Sequence, residues 1–101
     1  MENIKEAVFI SGPMSGLADY GRTNFRIAES ELRERGYEQI LNPAVLPLGM
    51  ARERYLPITL AMLEAADTVY MLKGWRNSLG ATLEHRYAQY QGKNIIEEGC
   101  T

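Results

Sequence analysis

The distribution of hydrophobic residues along the chain predicts strands and helices in alternation. Short apolar runs that end at glycine, proline or a polar residue are typical of strands buried in a parallel sheet. Longer segments in which apolar residues recur every three or four positions predict amphipathic helices. The predicted strands are residues 7–10, 37–41, 68–72 and 95–96, and the predicted helices are residues 22–35, 55–66 and the segment that follows Ser78.

Local signals support these boundaries. Gly36 is predicted to adopt the left-handed conformation that ends helices. Pro43 cannot donate to a strand ladder and therefore ends the second strand. Pro57 is tolerated in the first turn of the second helix, where its missing N–H is not needed. The irregular segment 44–54 is predicted to be a long surface connection of the kind that often covers a site.

The alternation of elements predicts the fold class. Strand, helix and strand in succession favour right-handed crossovers and a parallel sheet with helices on both faces. We therefore expect a three-layer, flavodoxin-like α/β fold with about four strands in the order 2-1-3-4. Ligands bind such sheets beyond the carboxyl ends of the strands, where the chain winds in opposite directions. We expect that crevice between strands 1 and 3, with residues 11–16 and 74–78 as its walls.

Composition narrows the class of protein. A length of 101 residues predicts a single domain, 1–101. The composition, with 46% hydrophobic and 24% charged residues, is typical of a globular chain. A net charge of −2 gives no basic surface for duplex nucleic acid, and no apolar segment predicts a secretion signal or a membrane span. One cysteine, Cys100, fits a reducing compartment and a cytoplasmic location. One histidine and one cysteine far from the acidic residues do not predict a metal site.

Glu84 is the candidate catalytic residue. At about 100° per residue, it falls inside a predicted buried arc of the third helix. That arc comprises Leu79, Leu83, Tyr87 and Tyr90, extended by Gly80, Ala81 and Ala88. Polar residues, His85 among them, form a solvated face on the other side. A buried carboxylate is costly unless a ligand binds there, although periodicity alone also allows an ordinary solvated or salt-bridged glutamate.

Two further segments are candidate ligand contacts. Ser11, Gly12, Pro13 and Met14 form a small-residue loop whose N–H groups can approach a ligand, although an ordinary tight turn fits equally well. This loop is neither a Walker loop nor a dinucleotide fingerprint, which excludes those classes. Ser78 is a good N-cap, and the N–H groups that follow it, including that of Gly80, can hold an anion or simply begin a helix. Trp75 can stack on a base or serve only in packing.

Several segments together resemble a known family. They are residues 9–16, Asn24-Phe25, Asn42-Pro43-Ala44, residues 66–72, Gly74-Trp75 and Ser78-Leu79-Gly80-Ala81-x-x-Glu84. These segments resemble the small bacterial and phage relatives of nucleoside 2-deoxyribosyltransferases. The last of them is also similar to the corresponding stretch of 2′-deoxynucleoside 5′-phosphate N-hydrolases.

The resemblance implies a mechanism and a set of site residues. Glu84 would attack C1′ of a deoxynucleoside or its monophosphate, expel the base and form a covalent ester that a second base or water resolves. Ser78 and Gly80 would bind a 5′-phosphate, and Ser11 to Met14 would line the base and sugar pocket. Asn24 and Trp75 belong to the same motifs. The implied partner is a small deoxynucleoside or deoxynucleotide, and no metal or organic cofactor is required.

Two functions remain open at this point. The pattern around Glu84 favours an enzyme that cleaves or transfers at the N-glycosidic bond. Phe9 and Thr59 stand where the family often has a tyrosine and an aspartate, and these departures favour a non-catalytic nucleotide-binding or metabolite-sensing module. We also expect a homodimer or a higher homo-oligomer, because the domain is small and Tyr55, Leu56, Tyr87 and Tyr90 can contribute apolar surface.

Overall fold

A computed structural model describes residues 4–99 of the chain. Cys100, on which the prediction of a reducing compartment depends, lies outside these residues. The strands are β1 (Ile4–Ser11), β2 (Tyr37–Leu41), β3 (Thr68–Met71) and β4 (Asn94–Glu97), the helices are α1 (Arg22–Glu34), α2 (Arg52–Ala65) and α3 (Leu79–Tyr90), and short 3-10 helices span Pro43–Val45 and Trp75–Asn77. None of these helices is long and apolar enough to cross a membrane.

The four strands form one parallel sheet in the order β2-β1-β3-β4. Val8 of β1 lies opposite Ile40 of β2 and Thr68 of β3, so β1 is an interior strand. On the other side of β3, Tyr70 lies opposite Ile96 of β4. The predicted parallel α/β sheet and its strand order are confirmed.

Side chains of β1 alternate between two hydrophobic cores, because successive residues of a strand point to opposite faces. On one face, Val8 and Ile10 pack with residues of α1, including Phe25. On the other face, Phe9 packs in one cluster with Leu63 of α2 and with small residues of α3. Helix α1 therefore covers one face of the sheet, and α2 and α3 cover the other, as a three-layer fold requires.

Two predicted starts were wrong. Strand β1 begins at Ile4 rather than at residue 7. Helix α2 begins at Arg52, a turn before the expected Tyr55, so Pro57 lies inside the helix rather than in its first turn. Residues 52–54 are all charged, so no recurring apolar residue marks them as part of a helix. The N–H of Arg54 nevertheless donates to the Ala51 carbonyl at 2.9 Å and begins the helix there. Gly36 has φ 105° and ends α1 in the left-handed conformation that was predicted.

The buried face of α3 also differs from the expected arc. Leu79, Leu83 and Tyr90 are 59%, 42% and 83% exposed, so their predicted burial was wrong. The residues of α3 that are buried are Ala81, Glu84 and Ala88. Large side chains that point out of the sheet fill this layer, and small residues on α3 complete the packing. Glu84 is on the buried side as predicted, beside alanines rather than among large apolar side chains.

Candidate active site

A cleft of about 620 Å³ lies at the carboxyl ends of β1, β2 and β3. Its walls come from three segments, which are the loop after β1, the connection from β2 into α2, and the start of α3. This is the switch point between strands that was expected to bind a ligand. Of the predicted walls, the loop after β1 is present, but the connector after β3 contributes only its end, Asn77 and Ser78.

Glu84 lies at the inner end of this cleft and is only 8% exposed. Its Oε1 accepts a hydrogen bond of 2.5 Å from the Ser11 hydroxyl. Burial raises the pKa of the Glu84 carboxyl, and the nearby hydroxyls of Ser11 and Thr59 partly oppose that rise. The ion pairs found within residues 4–99 involve other carboxylates. Glu84 is therefore a poorly solvated acid that no neighbouring cation neutralises.

Thr59 of α2 is the second polar side chain beside Glu84. It is 5% exposed, lines the cleft, and donates its hydroxyl to the Leu56 carbonyl at 3.2 Å. A hydroxyl carries one proton and can donate to one acceptor at a time. Ser11, with its shorter bond, is therefore the principal donor to Glu84, and Thr59 becomes available only by leaving Leu56.

The amino terminus of α3 forms a positively polarised wall of the cleft. Ser78 is the N-cap, as predicted, and its Oγ accepts a hydrogen bond of 3.2 Å from the Ala81 N–H. Leu79 and Gly80 form the first turn and line the cleft, where N–H groups have no partner within a helix. Partial positive charge at a helix amino terminus attracts anions. Ser78 and Gly80 are thus placed where the sequence predicted an anion-binding turn.

Arg52 adds a full positive charge to the same cleft. It is the first residue of α2, its side chain is exposed, and it is the only basic residue among the described cleft-lining residues. Arg52 was not among the predicted site residues, because it lay in a segment predicted to be irregular. Its location in a connection predicted to cover a site was the one available signal. The cleft therefore combines a buried acid with a positive rim.

Gly12, Pro13 and Met14 line the cleft as predicted. Packing gives a reason for Gly12 that the sequence did not show. A Cβ atom at this position would lie 2.7 Å from the Leu72 Cβ, which is closer than atoms can approach. Glycine therefore allows the loop after β1 to pass directly against Leu72, the residue that follows β3.

The connection after β2 covers the cleft with apolar side chains, which was the role expected of a long connection. The lining residues from this connection include Pro43, Leu46, Leu48 and Met50. The Tyr55 hydroxyl donates to the Pro47 carbonyl and accepts a 3.2 Å bond from the Met50 N–H. Arg22 of α1 donates to the Leu46 carbonyl at 2.8 Å. These bonds hold the connection in place over the ligand space.

Four predicted site residues do not line the cleft. Ser11 is fully buried and acts on the cleft through the hydrogen bond described above. Phe9 is fully buried in the core beneath it, because strand alternation directs its ring toward α2 and α3. Asn24 is exposed in the first turn of α1, where the neighbouring Phe25 occupies the inward position. The fourth residue, Trp75, belongs to a separate cluster.

Trp75 is held by its own neighbours, so its predicted base-binding role is not supported by its position. Its ring stacks on His85 with 4.1 Å between centroids, and the Arg76 guanidinium lies 4.4 Å from the ring centroid. The indole N–H donates to Glu97 at 3.1 Å. His85, expected to be solvated, is half-buried in this stack. The cluster ties the turn before α3 to the end of β4.

The side chains within residues 4–99 also bear on metal binding. No group of three or more histidine, cysteine, aspartate or glutamate side chains lies together there in a way that could hold a metal ion. Glu84 and Arg52 are the charged residues that line the cleft, and they have opposite signs.

Comparison with known proteins places this geometry in context. No curated protein matches the chain. Among solved structures, the chain is similar to a 2-desoxiribosyltransferase from Leishmania mexicana, with a TM-score of 0.71 and 17% identity over 91% of this chain and 63% of that one. At this identity the likeness shows the fold. Residues 6–97 match the family described as "Domain of unknown function (DUF4406)", and the chain therefore belongs to that family.

Proposed function

We propose that the protein cleaves or transfers at the N-glycosidic bond of deoxynucleosides or deoxynucleoside 5′-monophosphates, with Glu84 as the nucleophile. The observation that carries the proposal is a buried carboxylate that lines the switch-point cleft and has no cationic partner within residues 4–99. The fold shared with a 2-desoxiribosyltransferase supports it at the level of architecture.

The reaction has two steps. In the first, the Glu84 oxygen that does not bond to Ser11 attacks C1′. The C1′–N bond breaks, its electron pair leaves with the base, and the base takes up a proton from water. In the second, water attacks C1′, the ester bond returns its electron pair to Glu84, and the water gives up a proton. In a transfer reaction, a second base replaces water.

The electrostatics of the cleft favour this chemistry. The transition state resembles an oxocarbenium ion, whose positive charge develops at the sugar. An unpaired carboxylate in a poorly solvated site attracts that charge strongly, because little water screens the interaction. The Ser11 hydroxyl orients the carboxylate and supports its charged form. The pKa rise caused by burial means that activity should fall at acidic pH, where Glu84 is protonated and cannot attack.

The positive rim favours a monophosphate over a nucleoside. The first turn of α3 and the Arg52 side chain line the same cleft as Glu84. A 5′-phosphate at this rim would accept hydrogen bonds from N–H groups and interact with a guanidinium, as phosphates do at helix amino termini. We therefore propose deoxynucleoside 5′-monophosphates as the preferred substrates.

Release of free base tests the proposal. Wild-type protein incubated with each deoxynucleoside monophosphate should release base, measured by chromatography, and Glu84→Gln should reduce the rate at least about 1000-fold, as loss of a covalent nucleophile does. Glu34→Gln replaces an exposed glutamate on α1 and should leave the rate unchanged. Equal rates for wild type and Glu84→Gln would exclude Glu84 as the nucleophile.

A second function is a nucleotide-binding module without turnover. The absence of a hydroxyl on Phe9, which is sealed in the core, and the presence of Thr59 rather than a carboxylate beside Glu84 favour it. Calorimetry with the same monophosphates separates the two functions. Binding without base release from any deoxynucleoside or monophosphate would establish the module, and binding with Glu84-dependent release would establish the enzyme.

A further inference from the structure

The cleft contains one aromatic side chain that is both accessible and unassigned. Three aromatic residues line it, which are Tyr20, Phe25 and Tyr55. Phe25 is fully buried in the core, and the Tyr55 hydroxyl holds the connection after β2. Tyr20 is 41% exposed, and its hydroxyl has no hydrogen-bond partner within residues 4–99. With Trp75 outside the cleft, Tyr20 is the ring available to a ligand.

The backbone at Tyr20 is strained. Its φ of 56° makes it the one non-glycine residue with a positive φ in the part of the chain that the structure describes. Residues other than glycine, asparagine and aspartate rarely adopt this conformation, because the Cβ atom crowds the following carbonyl. Strain of this kind is found disproportionately at functional sites, where the surrounding structure enforces it.

Neighbouring residues enforce the conformation of Tyr20. The Asp19 carboxylate accepts hydrogen bonds from the Gly21 N–H at 3.0 Å and the Thr23 N–H at 2.9 Å, which fixes the turn into α1. A Cβ atom at Gly21 would lie 2.4 Å from the Pro13 carbonyl oxygen, so the turn is packed directly against the loop after β1. The Tyr20 ring is thereby held in the cleft although its backbone conformation is unfavourable.

Tyr20 enters from the side of the cleft opposite to the anion-binding groups. It directly precedes α1, which covers one face of the sheet, whereas Arg52 and the first turn of α3 belong to the other face. The cleft lining also includes the apolar residues Leu46, Leu48 and Met50, and the Leu46 carbonyl is bonded to Arg22 at the start of α1. A ligand with its phosphate at α3 would therefore extend its base toward Tyr20.

We propose that Tyr20 binds the base of the substrate by stacking, and that its strained backbone is retained for this purpose. The proposal rests on the proposed function, since it assigns one end of a deoxynucleotide to one side of the cleft. Aromatic side chains stack on any base, because every base has a π-face. Tyr20 would accordingly contribute affinity for the base with little preference among bases.

Two ligands, one with a base and one without, distinguish base stacking by Tyr20 from a purely structural role. Calorimetry would measure the binding of a deoxynucleoside monophosphate and of 2-deoxyribose 5-phosphate, which has no base. Tyr20→Leu should weaken monophosphate binding about 5- to 150-fold, the range for loss of one stacked base, and leave sugar-phosphate binding unchanged. Tyr20→Phe keeps the ring and should bind both probes like wild type. Tyr90→Leu, at an 83% exposed tyrosine outside the cleft, is the matched control.

The outcomes are distinct. Unchanged monophosphate binding by Tyr20→Leu, or equal weakening of both probes, would overturn the stacking role while leaving the proposed function intact. Failure of the wild type to bind either probe would overturn both proposals.

A stability measurement supplies an independent readout. Tyr20→Asn places at this position a residue that tolerates positive φ, so its midpoint temperature should rise by about 4 °C or more while monophosphate affinity falls. A lower midpoint temperature would mean that the tyrosine ring stabilises the fold, and it would overturn the claim that its strained conformation is retained for binding.

Discussion

At the scale of single residues, the distinctive feature of this protein is an acid whose pKa is raised by burial. Glu84 is surrounded by alanines and core side chains, and hydroxyl groups are its polar neighbours. An ordinary salt bridge would have lowered the pKa of this carboxyl, whereas burial raises it. The folded protein therefore binds the Glu84 proton more tightly than the unfolded chain does.

This difference predicts how stability depends on pH. Protonated Glu84 contributes its full stability below the ordinary pKa of 4.5, and that contribution is lost as pH rises through the raised value in the folded protein. Glutamine does not ionise and can still accept a bond from Ser11. Glu84→Gln should therefore raise the unfolding free energy at pH 8, and the advantage should disappear near pH 4.

Thermal unfolding of wild type and Glu84→Gln across that pH range measures the effect, with the exposed Glu34→Gln as control. If Glu84→Gln were less stable than wild type at pH 8, the carboxylate would be better solvated or better paired than its surroundings indicate.

At the scale of elements, the start of α3 serves two purposes. Ser78 caps the helix through the Ala81 N–H, and the same turn lines the cleft. Behind it, the stack of Trp75 on His85 and the bond from Trp75 to Glu97 fix the preceding turn against β4. Trp75 was predicted to contact the ligand, because the connector has no periodic pattern that would show which way an aromatic side chain points. Contacts with β4, which lies later in the chain, determine its direction.

Capping and anion binding at Ser78 can be separated by substitution. Aspartate caps helices as well as serine does, but its charge would repel a phosphate. Ser78→Asp should therefore unfold at nearly the wild-type temperature, yet bind a deoxynucleoside monophosphate about tenfold more weakly and the parent nucleoside unchanged. Ser78→Ala, which removes the cap, should lower stability by about 1 kcal/mol.

Calorimetry with the nucleotide and nucleoside pair and a melting curve for each variant provide the measurements. Equal weakening of both ligands by Ser78→Asp would show that the phosphate does not bind at this turn.

At the scale of the whole molecule, apolar surface collects on the helix layer that contains α2 and α3. Ile58, Leu79, Leu83 and Tyr90 are between 39% and 83% exposed there. Tyr55, Leu56 and Tyr87, also expected at a subunit interface, are half-buried, and the first two line the cleft. We propose that a second copy of the chain covers this layer beside the cleft, since exposed apolar surface of this kind marks interaction sites.

The self-association proposal has a matched pair of variants. Ile58 on α2 and Ile27 on α1 are 39% and 49% exposed and lie on opposite faces of the sheet. Sedimentation at high micromolar concentration should give a dimer or larger species for wild type. Ile58→Glu should shift the mass toward the monomer, because a buried unpaired charge opposes association. Ile27→Glu should leave it unchanged, and a monomeric wild type would contradict the proposal.

The sequence by itself determined the order of elements, the parallel sheet and the edge at which the cleft opens. All three features follow from local periodicity together with the handedness of crossovers, and none of them requires information about distant contacts. The helical periodicity also placed Glu84 on the buried side of α3, although it assigned the neighbouring large apolar residues to that side as well. Only packing against the sheet decided that alanines line it and that Leu79, Leu83 and Tyr90 face outward.

Only the tertiary structure decided which side chains share the cleft. No periodicity marks Tyr20 or Arg52, and they reach the cleft because a turn with positive φ and an early helix start place them there. Phe9 and Trp75 lie in segments that resemble a known family, yet strand alternation and contacts with β4 direct their side chains elsewhere. A residue's type and period are local properties, whereas its direction and neighbours depend on segments far away in the chain.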